Sequence, residues 1–353
     1  MNTESIEISF LSIFALITFF IFLTVSKFSY KIKKGILLDQ DFSKPQAFHH
    51  YAISRSGGIA GIVSLNIFFG IYYLLYSEVL FEYVSISFLM FLVGFLDDIK
   101  IKLQPILRLL LMVFFLSFII YFFSIKISNI QISYVSLFLK NDFLSTFFVL
   151  MCFLFIINGA NLIDGFNGLL TINLIIINSI LLYINIKSGN NEFSTFLIAQ
   201  LIILLSFLLF NFPKAKIFLG DSGAYLMGSL VSFNTIITNN LNPSASSFFF
   251  CIILFYLFFE VFFSFIRKIF QKKSPVHPDT KHLHMLSYQI LAPIYGRKKS
   301  NFLNSLIINF VYLILIFPAL FFIEDPILSR YWFSTLILIY LFIYLGLYRL
   351  TKN

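Results

Sequence analysis

Long apolar runs alternate with short polar breaks along almost the whole chain. A bilayer core takes about 20 apolar residues per helix, and eleven segments approach or reach that length. They are 8–26, 59–76, 80–96, 106–123, 143–158, 168–186, 194–211, 222–240, 246–266, 302–323 and 329–348. Two of them, 80–96 and 143–158, are short, and both end in polar clusters. No break is long enough for a separate soluble domain, and no internal repeat stands out. The pattern therefore predicts one all-α integral membrane domain over 1–353, with about eleven transmembrane helices. The break at 124–142 alternates from Lys126 to Tyr134, the pattern of a small hairpin.

Composition agrees with this. Hydrophobic residues make up 59% of the chain and charged residues 12%, against about 45–50% and about 25% in soluble domains. A soluble globular protein, a disordered chain and a disulfide scaffold are excluded. Cys152 and Cys251 lie inside apolar runs and read as small hydrophobes. The 50 Phe are lipid-compatible and carry little functional information.

The sorting of charge orients the chain. With the N-terminus outside, the inner breaks hold 21 of the 25 Lys and Arg, and the outer breaks hold only Lys126, Lys140, Lys187 and Arg330. This bias predicts a cytoplasmic C-terminus. Glu4 and Glu7 precede the first span and a basic run follows it from Lys27, which suits an N-out anchor and not a cleaved signal. All five His and seven Asp fall on the inner side.

Five inner clusters carry candidate chemistry. Arg55-Ser-Gly57-Gly58 is a tight turn or a point of close backbone approach. Asp97-Asp98 ends the third span, followed by Lys100. Adjacent carboxylates there are either a polar stop or a pair that divides metal and base roles. Asn158-Gly-Ala-Asn161-Leu-Ile-Asp164-Gly-Phe-Asn167-Gly168 has polar residues every three positions and no cation. Polar irregular backbone at membrane depth is tolerated where it lines a cavity. Asn211-Phe-Pro-Lys-Ala-Lys-Ile-Phe218-Leu-Gly-Asp221-Ser-Gly223 puts Asp221 at the start of the eighth span, as a helix N-cap or a metal ligand. The basic loop 267–301 holds His277-Pro-Asp279-Thr-Lys281-His282-Leu-His284, where the last two His, two apart, would point the same way in an extended strand. Glu260 is the one carboxylate well inside a span, away from its ends, and reads as structural or as a lipid-headgroup contact. Carboxylates, a divalent cation and basic groups on one face form the equipment for phosphoryl transfer. No nucleic acid partner is expected.

Taken in order, Gly57-Gly58, Asp97-Asp98, Asn161 to Gly168, Asn211 to Gly223 and His282-x-His284 resemble the motifs of the polyprenyl-phosphate N-acetylhexosamine-1-phosphate transferases, glycosyltransferase family 4. The resemblance covers 55–284 and implies an active site built from cytoplasmic loops at a bacterial inner membrane. It implies transfer of a HexNAc-1-phosphate from a UDP-N-acetylhexosamine to undecaprenyl phosphate, with release of UMP, at the start of a cell-envelope polysaccharide. It further implies Mg²⁺, with Mn²⁺ as a substitute, contacts with membrane lipids, and compatibility with a homodimer. Asp97, Asp98, Asp164 and Asp221 are the implied catalytic residues, with Asp221 and Asp98 on the metal. Lys100, Asn161, Asn167, Asn211, Phe218, His282 and His284 are the implied substrate-binding residues, Phe218 stacking on uracil. Asn167 stands where many members have Asp. The His loop lacks the triple-His stretch of the branch that transfers phospho-N-acetylmuramoyl-pentapeptide, which favours the O-antigen, teichoic acid or capsule branch over that alternative. A lipid-carrier transporter is the reading from another class, and a nearly bare outer face argues against it.

Overall fold

The computed structural model describes residues 3–31, 35–40, 52–101, 103–128, 130–274 and 279–352. His277 and Pro278 of the fifth cluster, and much of the first inner loop, lie outside them. Fourteen α-helices are named among the described residues: α1 (Thr3–Phe28), α2 (Gly57–Tyr76), α3 (Phe81–Asp98), α4 (Pro105–Phe122), α5 (Ser133–Phe138), α6 (Asp142–Ile163), α7 (Leu169–Lys187), α8 (Asn191–Asn211), α9 (Gly220–Leu241), α10 (Ser247–Ile253), α11 (Phe255–Phe270), α12 (Leu283–Tyr295), α13 (Arg297–Ile316) and α14 (Pro326–Leu350). The protein is an all-α integral membrane protein.

Every predicted span coincides with a helix or a helix pair, but not all are equally apolar. Among the described residues eight helices are long and apolar enough to cross a membrane, and α10 with α11, bent by 76° at their break, makes a ninth if the pair is one span. The two remaining predicted spans fall on α3 and α9. The 18 residues of α3 include Glu82, Asp97 and Asp98. Helix α9 is rich in Ser, Thr and Asn, and it is buried on nearly all sides. Helices α2, α3, α6 and α7 pack against it. A helix enclosed by other helices has no lipid to satisfy, so it can carry polar side chains if they find partners. They do. Asn234 Nδ2 donates to Asn178 Oδ1 at 3.0 Å and to Gln200 Oε1 at 2.7 Å, and Tyr83 Oη donates to Asn234 Oδ1 at 3.2 Å. These bonds tie α3, α7 and α8 to the central helix.

No hairpin forms at 124–142 among the described residues; the segment carries the short helix α5. Its backbone pairs with α9 instead of with itself. Asn240 Oδ1 accepts from Ser128 N at 2.9 Å, and Asn240 Nδ2 donates to Lys126 O at 2.7 Å. The named strands are β1 (Leu38–Asp39) and β2 (Ile53–Ser54), paired antiparallel with Leu38 opposite Ser54. Strand β2 continues into contact with the fourth cluster. Phe218 N donates to Ser54 O at 2.8 Å, and Gly57 N and Gly58 N donate to Phe218 O and Leu219 O at 2.9 and 2.8 Å. A Cβ on Gly58 would lie 2.3 Å from Ser222 Oγ, so the paired glycines serve close backbone approach.

Candidate active site

The site grows from the meeting of two helix ends. Helix α3 finishes at Asp98, and α9 begins at Gly220, whose φ is +78°. The first N–H groups of a helix have no partner within it. Asp98 supplies them. Its Oδ1 accepts from Asp221 N at 3.0 Å, and its Oδ2 accepts from Ser222 N at 2.9 Å and from Ser222 Oγ at 2.6 Å. Negative charge at a helix N-terminus is also favoured by the helix dipole. Asp221 is therefore not the N-cap; the capping carboxylate comes from another helix. Two close contacts make this possible. Gly94 lets α3 approach so tightly that a Cβ there would sit 2.4 Å from the Asp221 carbonyl, and Gly58 does the same for Ser222.

Asp98 is 2% exposed, and Arg55 Nη1 stands 3.7 Å from its Oδ1 while the same guanidinium holds Asp39 Oδ2 at 2.7 Å. With both oxygens engaged, Asp98 clamps the start of α9. Its neighbour Asp97 takes the open position. Adjacent helical residues point about 100° apart, so one carboxylate turns into α9 and the other into the loop face. Asp97 Oδ2 and Asp221 Oδ2 each lie 3.0 Å from the same atom, Arg108 Nη1. Their side chains are 22% and 19% exposed, open enough to meet a substrate.

Arg108 went unnoticed in the sequence. It sits in the first turn of α4, behind Pro105 at a helix start. A cation just inside an apolar run was the available signal. Asp164 follows the last turn of α6 and is half-buried. Burial raises its carboxyl well above the usual carboxylate range, the Asp221 charge adds to this, and Arg55 opposes it. It thus shares one electrostatic neighbourhood with Asp98 and Asp221. Asn161 lies beside the Tyr225 hydroxyl of α9.

Several expected substrate binders are ties between loops. Asn211 Oδ1 accepts from Gly168 N at 2.7 Å, and its Nδ2 donates to Ile217 O at 3.0 Å. Asn167 Nδ2 donates to Pro213 O at 2.9 Å, and its N–H donates to Asn301 Oδ1 at 2.9 Å. Lys100 has φ +61° and reaches Gly35 O at 3.3 Å. Phe218 is half-buried beside the Gly57 turn.

His282 and His284 form a second cluster. Their rings stack with centroids 5.5 Å apart and planes 4° off parallel. They do point the same way, but at the start of α12 and not in a strand: His282 precedes the helix and His284 lies in its first turn. Glu260 anchors them. Its Oε1 lies 3.1 Å from His282 Nδ1 and accepts from Leu283 N at 3.0 Å, and its Oε2 accepts from Tyr340 Oη at 2.7 Å. Its structural reading holds. Both His are buried, so their side chains present little surface to a ligand. The loop after α6 connects the two clusters: Asp164 faces the acidic one, and Phe166 meets the His284 ring at 5.8 Å.

The family described as Glycosyl transferase family 4 matches residues 80–239, the stretch from the start of α3 to the end of α9 that holds all four site carboxylates. Similar curated proteins include one from Thermotoga maritima named undecaprenyl-phosphate alpha-N-acetylglucosaminyl 1-phosphate transferase, 28% identical over 76% of this chain and 78% of that one. A Bacillus subtilis protein named probable undecaprenyl-phosphate N-acetylglucosaminyl 1-phosphate transferase is 27% identical over 67% of this chain and 66% of its own. A Clostridioides difficile phospho-N-acetylmuramoyl-pentapeptide-transferase is 30% identical over 52% of this chain and 62% of that one. A shared segment bounded by the two helices whose ends build the acidic cluster, and relatives that name the same class of transfer, agree with the motif order: residues 80–239 carry a glycosyl transferase family 4 segment, and the chain is similar to polyprenyl-phosphate N-acetylhexosamine-1-phosphate transferases.

Proposed function

We propose that the protein transfers a HexNAc-1-phosphate from a UDP-N-acetylhexosamine to undecaprenyl phosphate at the cytoplasmic face of a bacterial inner membrane. The observation that carries the reading is the convergence of Asp97 and Asp221 on one point, where a single Arg108 nitrogen balances both. Two half-open carboxylates with one shared cation fit a site for Mg²⁺, which binds through one or two carboxylates and completes its shell with phosphate oxygens and water. Bound there, Mg²⁺ supplies neutralising charge to the diphosphate.

The chemistry is a phosphoryl substitution. An oxygen of the lipid phosphate forms a bond to the β-phosphorus of the nucleotide sugar, the bond between the β-phosphorus and the bridging oxygen breaks, and UMP leaves with that oxygen. Asp97 positions the attacking phosphate or takes its proton. Arg108, between Asp97 and Asp221, stabilises charge on the phosphates. Asp164 and Asn161 orient the donor from the opposite loop, and Phe218 offers a flat face to uracil.

The test is UMP release by the purified protein given undecaprenyl phosphate, UDP-GlcNAc and Mg²⁺. UDP-GlcNAc is the first donor to try because two of the relatives are named for its sugar. Release should require the lipid and Mg²⁺, and Asp221→Asn should abolish it while the protein still inserts. UMP release without lipid would overturn the transfer, and preference for UDP-N-acetylmuramoyl-pentapeptide would move the protein to the other branch.

A further inference from the structure

Helices α11 to α14 enclose an apolar crevice of about 190 Å³ on the side of the His–Glu cluster. Its wall on α14 is formed by Leu336, Tyr340, Ile343 and Leu347, and its wall on α13 includes Ile308 and Val311. The α14 residues span eleven helical rises, or about 16 Å. That is roughly half of the ~30 Å hydrocarbon core, one leaflet. Val311, 37% exposed, opens the crevice on the α13 side.

One end of the crevice is cationic. Leu347 lies next to Tyr348, and the Nζ atoms of Lys281 and Lys352 stand over the Tyr348 ring at 5.4 and 5.0 Å. Tyr344, one turn back, donates its hydroxyl to Lys281 O at 3.1 Å and carries the Arg267 guanidinium at 5.9 Å over its ring. Arg267 Nη2 pairs with Asp279 at 2.7 Å, but its Nε and Nη1 are buried with no hydrogen-bond partner among the described residues, in a side chain only 9% exposed. Two lysines and an arginine with unused donors thus gather where an apolar slot of one-leaflet length ends.

We propose that this crevice binds an anionic membrane phospholipid, one acyl chain along α13 and α14 and the headgroup phosphate on Lys281 and Lys352. The slot length suits an acyl chain of ordinary length and not the far longer polyprenyl chain. The cations gather around Tyr348 at the end of α14, and none of them contacts Asp97 or Asp221 among the described residues, so a phosphate held here is resident and not transferred. Anionic lipids of the inner leaflet favour clustered Lys and Arg at that depth. The inference goes beyond the proposed transfer and stands whether or not that reading holds.

The experiment measures lipid retention and thermal unfolding of the full chain in detergent micelles, with added phosphatidylglycerol or phosphatidylcholine. Native mass spectrometry of the wild type should find about one retained phosphatidylglycerol, and phosphatidylglycerol should raise Tm more than phosphatidylcholine. The double variant Lys281→Gln/Lys352→Gln should lose that preference and unfold at the wild-type temperature in phosphatidylcholine. Val311→Trp, which fills the slot, should lose the retained lipid. Equal stabilisation by the two lipids, an undiminished preference in the double variant, or polyprenyl phosphate as the retained species would each overturn the proposal.

Discussion

Arg108 sits where two carboxylates would otherwise repel each other, and its single Nη1 serves both. Arg108→Gln removes that charge from the phosphates. Loss of one preorganised electrostatic group costs about 10²–10³ in rate, so the expected outcome is a fall in kcat of about a hundredfold in the UMP-release assay, with partial rescue by Arg108→Lys. Asp98 should behave differently. Asp98→Asn turns one of the two acceptor oxygens into a donor facing an α9 N–H group, at a cost of about 1–3 kcal/mol for a buried unsatisfied bond. Its Tm and activity should fall together, whereas Asp221→Asn should lose activity and keep its Tm. At this scale the sequence was informative about carboxylates, because Asp97, Asp164 and Asp221 end or begin apolar runs on a cation-rich face. It did not separate Asp97 from Asp98, since only the direction of α9 decides which of two neighbours is the clamp. It did not disclose Arg108, whose partner Asp221 is 113 positions away.

The elements that bring these residues together depend on missing side chains. At Gly94 a Cβ would meet Asp221 backbone at 2.4 Å. Backbone does not yield as a side-chain tip does, so Gly94→Ala should push the ends of α3 and α9 apart. UMP release should drop by at least tenfold, while Gly70→Ala, with nothing within 4 Å of its Cβ, leaves it unchanged. The periodicity located the helices of the eleven predicted spans because apolar length is a local property, but it left α5 and α12 as loops. It misjudged two features that are not local. The alternating Lys126 to Tyr134 segment was expected to fold back on itself, but Asn240 at the end of α9 offers its backbone better partners. The polar character of α9 also gave no sign of its central place, which follows from helices on several sides that leave it no lipid contact.

For the whole molecule, the strongest prediction is handedness across the bilayer. With Cys152 and Cys251 replaced, single cysteines at Lys126 and Lys298 should label from opposite sides in intact cells: Lys126→Cys with an impermeant maleimide from outside, Lys298→Cys only after permeabilisation. Labelling in the reverse sense would place the acidic cluster outside, away from cytoplasmic nucleotide sugars. One bond in that cluster reaches further. Ser222 answers Asp98 across 124 positions, so the carboxylate that finishes α3 waits for a helix inserted five spans later. Until then α9 has no cap, and Asp221 is not held opposite Asp97. A nascent chain stalled before α9 therefore lacks the Asp97–Asp221 pair that Arg108 bridges, and should release no UMP.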